Sequence, residues 1–548
     1  MEFDPHFFPY PSRRQLVYAA KGVVAASQPL AAQAGLDILK KGGNAVDAAV
    51  ACAAALTVLE PTSNGLGGDA FAIIWTEKEK RLRGLNSSGT APARMTAQAI
   101  REKGFARIPR FGLAPITVPG IPSAWAAAWK EYGRLPFARL LEEAARLAEE
   151  GFPVTPLTSR MWAEAYGIYR EAQKAAAGRG DAGEAAAFDG WFSVFAPGGK
   201  TPVAGEPRGV PAQAGTLREI GKTESRSFYQ GPIAQGIDAF MKKHGGFLRG
   251  EDLAAFSAEW VDPISINYRG HDIWEIPPNG QGLVAILGLN ILENFSLNFG
   301  KDHPDTCHKQ IEALKLAFAD GRQYIADSRF SSVPLEGLLS KEYAGRRAAL
   351  VGENALSPGP GKPFGSETVY FCAADAEGNM VSWIQSNFAG FGSGIVIPES
   401  GISFQNRGSA FSLDEKSANC LVPGKRPFHT IIPGFITREG KPLGPFGIMG
   451  AAMQPQAHLQ VVSGLIDFGL NPQAALDAYR WMWLEGKKLQ FEPGFPRHIA
   501  EALAAKGHEI SYHTSDMPFG RGQIIQRLPS GVYAAGTEKR TDGYIAVW

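Results

Sequence analysis

Fifteen consecutive residues, Ala45 to Leu59, are alanine-rich and carry a single charge, Asp47. A helix that is apolar on every side must be covered on every side, so this segment reads as a buried element of a layered fold. It falls short of the ~20 residues needed to cross a bilayer. A second helix, residues 29–41, precedes it almost at once, with Pro29 in its first turn and Gly42-Gly43 as its stop. The two must pack closely. The turn-rich loop Glu60-Pro61-Thr62-Ser63-Asn64-Gly65-Leu66-Gly67-Gly68-Asp69 then leads into the apolar run Ala70 to Trp75, a buried strand.

At 548 residues the chain exceeds the ~250–300 at which one simple core stops growing, which leaves two lobes or one large layered fold. Its 55 Lys+Arg against 54 Asp+Glu give a net charge of +1, so no global field recruits nucleic acid, an anionic membrane or a strongly acidic partner. Cys52, Cys307, Cys372 and Cys420 are widely spaced with no CxxC pair and read as buried free thiols rather than a zinc site or a disulfide framework. The stretch Met1-Glu2-Phe3-Asp4-Pro5 has no signal-peptide character, and the expected location is cytoplasmic.

Helical patterns recur around Leu140 to Glu150 and over 305–325, where Ile311, Leu314, Phe318 and Ile325 share a face. A Gly/Ala-rich stretch at 175–200 reads as a surface insertion. Residues 350–366, rich in Pro and Gly, read as an irregular, poorly packed link. Directly after it, Thr368 to Ala374 and Met380 to Gln385 are strand-like runs around Asp375-Ala376-Glu377-Gly378-Asn379, a hairpin signal that opens a β-rich second half. Short apolar runs at 394–397, 402–405 and 431–436, helix-like segments at 456–468 and 472–480, and a hairpin near 522–536 complete it. A sheet covered by helices is the expected result.

No HExxH, GxxxxGK[ST], GxSxG or EF-hand loop is present. What stands out is Thr368, at the head of a strand just after the Pro/Gly link. Alone, a threonine there is an ordinary β-former. If the Glu367–Thr368 bond were cut, however, Thr368 would carry a hydroxyl and a free α-amine, the latter with an ordinary pKa near 7.7–8.0. Nucleophile and general base would then sit on one residue.

The chain resembles the γ-glutamyltransferase family of N-terminal nucleophile hydrolases along nearly its whole length. The likeness is carried by Lys41-Gly42-Gly43-Asn44-Ala45-Val46-Asp47-Ala48-Ala49, Glu60 to Gly68, Thr117-Val118-Pro119-Gly120, Phe228-Tyr229-Gln230-Gly231 and Tyr268-Arg269-Gly270. Phe391-Gly392-Ser393-Gly394-Ile395-Val396, Glu399-Ser400-Gly401-Ile402 and Lys425-Arg426-Pro427 continue it in the second half. The resemblance implies a four-layer αββα sandwich (α/β, α+β) and self-cleavage between Glu367 and Thr368. The products would be a large subunit, 1–367, and a small catalytic subunit, 368–548, paired as a heterodimer. It implies an acyl-enzyme on Thr368, with Ser386 supporting the α-amine and the backbone N–H groups of Gly450 and Ala451 holding the oxyanion. An alanine serves at 451 provided its φ stays negative. The chemistry needs no cofactor and no metal. The partners implied are a small-molecule amide and the chain's own fragments, a higher homo-oligomer being compatible, with no nucleic acid and no membrane.

The resemblance departs at substrate recognition. Ser88 stands where the family has an arginine for a substrate carboxylate. Arg407 and Ala410 replace a Gln and an Asp that hold an α-ammonium, Asn387 and Phe388 straddle the place of an Asn, and His429-Thr430 replace paired serines. Ser88, Asn387, Arg407, His429 and Thr430 are therefore the candidate substrate-binding residues. Arg407 is suited to clamp a substrate carboxylate, the alternative being a structural ion pair, and His429 is read as a pocket-lining hydrogen bonder. The leading reading is a self-processing threonine amidohydrolase or acyltransferase acting on a γ-glutamyl-like or small amide bond. An oxamate-type amidohydrolase for carboxylate-bearing amides and a catalytically silent binding scaffold are the alternatives.

Overall fold

The computed structural model describes residue 10, residues 14–358 and residues 367–548, the side chain of Glu367 excepted. Two seven-stranded antiparallel sheets face each other. The first runs in the order Tyr544–Val547, Gly22–Ala26, Glu367–Asp375, Met380–Phe388, Asp69–Thr76, Arg81–Ser87, Glu259–Val261. The second runs Val17–Ala19, Tyr533–Thr537, Arg521–Arg527, Lys441–Met449, Gly434–Arg438, His271–Glu275, Ile264–Tyr268.

Three apolar cores define the layers. Between the sheets, Phe71, Ile73, Tyr370, Ile384, Phe435 and Ile525 interdigitate. On the outer face of the first sheet, Val369, Phe371 and Val381 pack against the helices Pro29–Lys40 and Ala45–Leu59. On the outer face of the second, Phe446 and Ile448 pack against Gly282–Leu292, Pro304–Tyr324 and Met453–Ile466. The result is the αββα sandwich, and all fifteen residues of Ala45–Leu59 are buried in it.

The alternation of strands explains this. Successive side chains of the Glu367–Asp375 strand serve two cores in turn, Val369 and Phe371 outward and Tyr370 and Cys372 inward. Asp375 caps the hairpin, accepting from Glu377 N at 2.9 Å and Asn379 N at 3.1 Å, so the predicted turn forms by Asx bonding.

Several expectations need correction. The 175–200 stretch is not a surface insertion: Ala182–Ala187 and Asp189–Phe195 are helices, and Trp191 is fully buried beside Phe195 and Phe391. Its alanines form helix, and its aromatics fill a core. Beyond the expected strand at 70–75, the part before Thr368 contributes further strands, and both sheets draw them from either side of Thr368. The first part of the 350–366 link is packed: Ala355 N donates to Lys506 O at 2.8 Å and Leu356 N to Glu312 Oε2 at 3.1 Å. Residues 359–366, and Met1 to Pro5, lie outside the described residues. All four cysteines are free, but Cys420 is only half-buried. Among the described residues no helix is long and apolar enough to cross a membrane.

Candidate active site

Thr368 sits at an irregularity in the sheet. Glu367 pairs with Phe388 but Val369 pairs with Gln385, so two steps on one strand face three on the other. The extra residue is a bulge, which re-aims side chains locally. It sets Thr368 beside Ser386: Thr368 Oγ1 donates to Ser386 Oγ at 3.1 Å, and both residues are fully buried. Ser386 Oγ also accepts from Phe388 N at 2.8 Å. Phe388 has φ +79°, a left-handed conformation that costs a non-glycine residue ~1 kcal/mol or more and is characteristic of sites where surroundings over-determine the backbone. Gly68 backs this strand so closely that a Cβ there would lie 2.5 Å from Ser386 O, which explains the glycine pair before the Asp69 strand.

Arg407 opens a short turn, Arg407–Ala410, and is fully buried. Its guanidinium stacks 4.2 Å from the Phe388 ring centroid, donates through Nη1 to Thr430 Oγ1 at 2.7 Å, and holds Nη2 3.5 Å from Ser386 Oγ. Its Nε has no hydrogen-bond partner among the described residues. Among the described residues Arg407 forms no salt bridge, and Asp69 is the carboxylate that couples to it electrostatically. Burial lowers its pKa to about 9, with Asp69 the main opposing influence.

Behind it, Asp69 accepts from Gly89 N at 2.8 Å, Gln405 Nε2 at 2.7 Å and His429 Nε2 at 2.9 Å. His429 Nδ1 accepts from Ile431 N at 3.3 Å, which assigns the proton to Nε2. Burial pushes Asp69 up to about 7, against the pull of Arg407, and holds His429 well below its ordinary value, with Arg407 and Arg426 adding to the effect. Burial thus favours the neutral form of both partners. With both nitrogens engaged, His429 positions Asp69 and does not present a free base.

Ser88 and Asn387 are placed differently from the other candidates. Ser88 Oγ accepts from Asn279 Nδ2 at 3.0 Å, and Asn279 Oδ1 accepts from Asn86 Nδ2 at 3.0 Å, so the serine belongs to a buried amide network. Asn387 Nδ2 donates to Ser403 Oγ at 3.2 Å, turned toward Gly65 rather than alongside Ser386. The structure brings Thr368, Ser386, Arg407 and Thr430 together and leaves these two outside that group.

The turn Gly450-Ala451 links the strand Lys441–Met449 to the helix Met453–Ile466. Its N–H groups therefore precede a helix N-terminus, where the dipole favours an anion. Gly450 has φ +136°, which favours glycine, and packs closely on Gly520, whose Cα would lie 3.2 Å from an added Cβ. Ala451 has φ +53°, which corrects the expectation of a negative φ: the turn needs a left-handed residue there, and the alanine adopts it under strain. Gln281 fixes the turn, its Nε2 donating to Ala451 O at 2.7 Å and Thr430 O at 2.6 Å. Gly450 and Ala451 line a cleft of about 540 Å³ together with Phe111, Met161, Ile168, Met482 and Met517.

Asp69, Gln281 and the cleft residues other than Gly450 and Ala451 were not anticipated from the sequence. The one local signal was Asp69, a carboxylate heading an apolar strand after two glycines.

The model of the Gamma-glutamyltranspeptidase family matches residues 31–548. The glutathione hydrolase-like YwrD proenzyme of Bacillus subtilis is 36% identical over 535 residues, covering 96% of this chain and 98% of that protein. The oxamate amidohydrolase proenzyme of Klebsiella pneumoniae is 33% identical over 537 residues, covering 96% and 98%. A crystal structure of cephalosporin acylase from Bacillus halodurans superposes with a TM-score of 0.93 at 55% identity, covering 100% of this chain and 99% of that one. The shared αββα layers and the match over nearly the full length carry one conclusion: the chain belongs to the γ-glutamyltranspeptidase family, as an amide hydrolase or acyltransferase with the N-terminal nucleophile hydrolase fold.

Proposed function

We propose that the chain is a proenzyme that cuts itself between Glu367 and Thr368 and then hydrolyses, or transfers the acyl group of, a carboxylate-bearing amide. The observation that carries this reading is the line of groups Thr368 Oγ1, Ser386 Oγ and Arg407 Nη2, at 3.1 and 3.5 Å, with an unpaired Nε on a fully buried cation.

In processing, Thr368 Oγ1 attacks the Glu367 carbonyl. The C–N bond breaks, the acyl group moves to oxygen, and the nitrogen takes up a proton as the new α-amine. Water then cleaves the ester, leaving fragments 1–367 and 368–548. Because both sheets contain strands from either side of the cut, the fragments remain interleaved as a heterodimer. In turnover, the α-amine accepts the Oγ1 proton as Oγ1 attacks the substrate carbonyl. The N–H groups at Gly450 and Ala451 take the oxyanion, and the amine leaves with the relayed proton. Water or an acceptor amine releases the acyl group.

Arg407 suits a carboxylate on the acyl portion, since a buried guanidinium with an open N–H gains a charge-assisted hydrogen bond there and repels an ammonium. This favours oxamate-type or dicarboxylic monoamides over a zwitterionic γ-glutamyl head group, in keeping with the relatives named for oxamate and cephalosporin.

A denaturing gel with intact-mass analysis tests the first step. Wild type should give two fragments, the smaller beginning at Thr368, while Thr368→Ala stays whole. An uncut 58.8 kDa wild-type chain after long incubation returns the protein to the binding-scaffold alternative.

A further inference from the structure

Arg407, Arg480 and Arg540 are all buried, and the structure supports their charges in two different ways. Arg480 Nη2 meets Glu538 Oε2 at 2.8 Å, while Arg540 meets Glu492 Oε1 at 2.7 Å and Glu538 Oε1 at 2.6 Å. Arg407 forms no salt bridge among the described residues, and Asp69, the carboxylate that couples to it, is committed to Gly89 N, Gln405 Nε2 and His429 Nε2. What lies against Arg407 is the ring of Phe388, 4.2 Å from the guanidinium carbon, the shortest cation–ring distance among the described residues. A cation over a desolvated aromatic face is attracted by the ring quadrupole, which offsets part of the hydration lost on burial. A ring face and a carboxylate differ, however, in what they leave open. A carboxylate fills the N–H edge of a guanidinium bidentately, whereas a ring face has no lone pair for any N–H. The Arg407 edge accordingly keeps only Thr430 Oγ1 at 2.7 Å and Ser386 Oγ at 3.5 Å, with Nε unpartnered among the described residues.

Phe388 has a second task. It pairs with Glu367 across the strand bulge, has φ +79°, and donates its N–H to Ser386 Oγ at 2.8 Å. Its backbone thus serves the hydroxyl beside Thr368 while its ring serves the guanidinium. Side-chain substitution separates the two, because every residue but proline keeps the N–H. Resting on the carboxylate-bearing substrate proposed above, we propose that Phe388 is the positioning residue of the Arg407 clamp. Its ring steadies the buried cation from the face, where an internal carboxylate would have taken the edge, and so leaves that edge for a substrate carboxylate. The ligand class that follows is a monoamide of a dicarboxylic acid with no ammonium near the carboxylate, since an ammonium would meet the same cation.

The test compares Phe388→Gly, Phe388→Leu and Phe388→Tyr with wild type and Arg407→Ala. Glycine adopts φ +79° freely and deletes the ring, leucine keeps apolar volume without a ring face, and tyrosine keeps the face. Ammonia release is measured from oxamate, succinamate and glutaramate, with succinamide and glutaramide as uncharged partners. In the glycine and leucine variants KM for the three carboxylates should rise about tenfold or more, with kcat and the diamides little changed, and tyrosine should restore it. A KM that leucine restores as well as tyrosine shows packing rather than the ring and overturns the proposal. So does a KM that rises in Arg407→Ala but in no Phe388 variant, a result that leaves the function reading standing. A KM untouched in Arg407→Ala overturns the carboxylate reading and the proposal with it. Calorimetric binding of glutarate reads the clamp apart from turnover. Affinity lost in the glycine and leucine variants and kept by tyrosine supports the proposal even if no amide is hydrolysed, an outcome that counts against the catalytic reading alone. Equal glutarate affinity in wild type and all three Phe388 variants overturns it.

Discussion

Gln281 Nε2 bridges Ala451 O at 2.7 Å and Thr430 O at 2.6 Å, so one buried amide sets the separation between the Gly450-Ala451 turn and the residue that holds Arg407. Both of its N–H donors are used, and its own backbone N–H donates to His429 O at 2.9 Å. Removing the donors in Gln281→Met strands two buried carbonyls, at ~1–3 kcal/mol each. We expect kcat to fall by about 10- to 100-fold with KM little changed, because in the proposed function the turn acts on the transition state. Gln281→Glu carries an informative signature: activity should recover toward acid pH, where the protonated carboxyl donates again. A pH–rate profile of that variant without such a limb would argue against the bridge.

Arg407 should set substrate preference. Arg407→Ala is expected to raise KM for carboxylate-bearing amides by about 10- to 100-fold, the worth of one charge-assisted contact, and to leave uncharged analogues unaffected. Because burial brings Arg407 to about 9, its charge is present below that pH and lost above it. KM for the carboxylate-bearing amides should therefore climb as pH rises through about 9. Initial rates measured with paired acid and amide substrates decide this.

Ala451 holds a left-handed conformation at φ +53°. Ala451→Gly relieves ~1 kcal/mol of backbone strain and should raise the melting temperature slightly with the oxyanion turn intact. Ala451→Val, β-branched at the same φ, should lower both stability and kcat. Calorimetry of the three proteins orders them.

Asp69 contributes a pH-dependent stability term whose sign follows from its raised pKa. The folded value, about 7, exceeds the unfolded one near 3.9, so the unfolded chain ionises first and this group destabilises the fold as pH rises from about 4 to 7. Asp69→Asn removes the titration. The melting temperature of the variant relative to wild type should therefore increase across that window, superimposed on a constant cost for the lost His429 contact. A difference that is flat with pH would contradict the assignment.

His308, Glu312 and His508 bring three potential metal-ligand atoms within 4.8 Å of one another, but their polar groups are already matched. Lys315 Nζ donates to Glu312 at 2.8 Å and stands 3.5 Å from His508 Nδ1; His508 Nε2 lies 3.0 Å from His308 Nδ1, and His308 Nε2 lies 2.9 Å from Gly352 O. One chain of donors satisfies every ring nitrogen, with the lysine as the internal cation. Chelator treatment or added zinc should leave the melting temperature unchanged, while Lys315→Met, which strands Glu312, should lower it by several degrees.

Local patterns in the sequence anticipated the helices Pro29–Lys40, Ala45–Leu59 and Pro304–Tyr324 and the hairpin after Thr368, within a few residues of their observed ends. These are decided at short range, by apolar periodicity, proline and glycine stops and an Asx turn. The stretch at 175–200 misled because alanine and glycine content says little about burial, which its aromatic neighbours settle.

The order of family-like motifs pointed to the fold and singled out Thr368 and Ser386, which the structure sets 3.1 Å apart, because those positions are tied to fixed places along the chain. What only tertiary structure decided were relations between distant segments. Gln281 and Ala451 are 170 residues apart, Asp69 and His429 are 360 apart, and the cleft gathers methionines from four separate elements. The sign of φ at Ala451 belongs with these. A residue's own preference opposes that conformation, and the packing of Gly450 on Gly520 and the Gln281 bridge accompany it in the folded turn. A linear sequence specifies local preference strongly, whereas the geometry of a site assembled across two sheets is fixed by the packing of the layers that carry it.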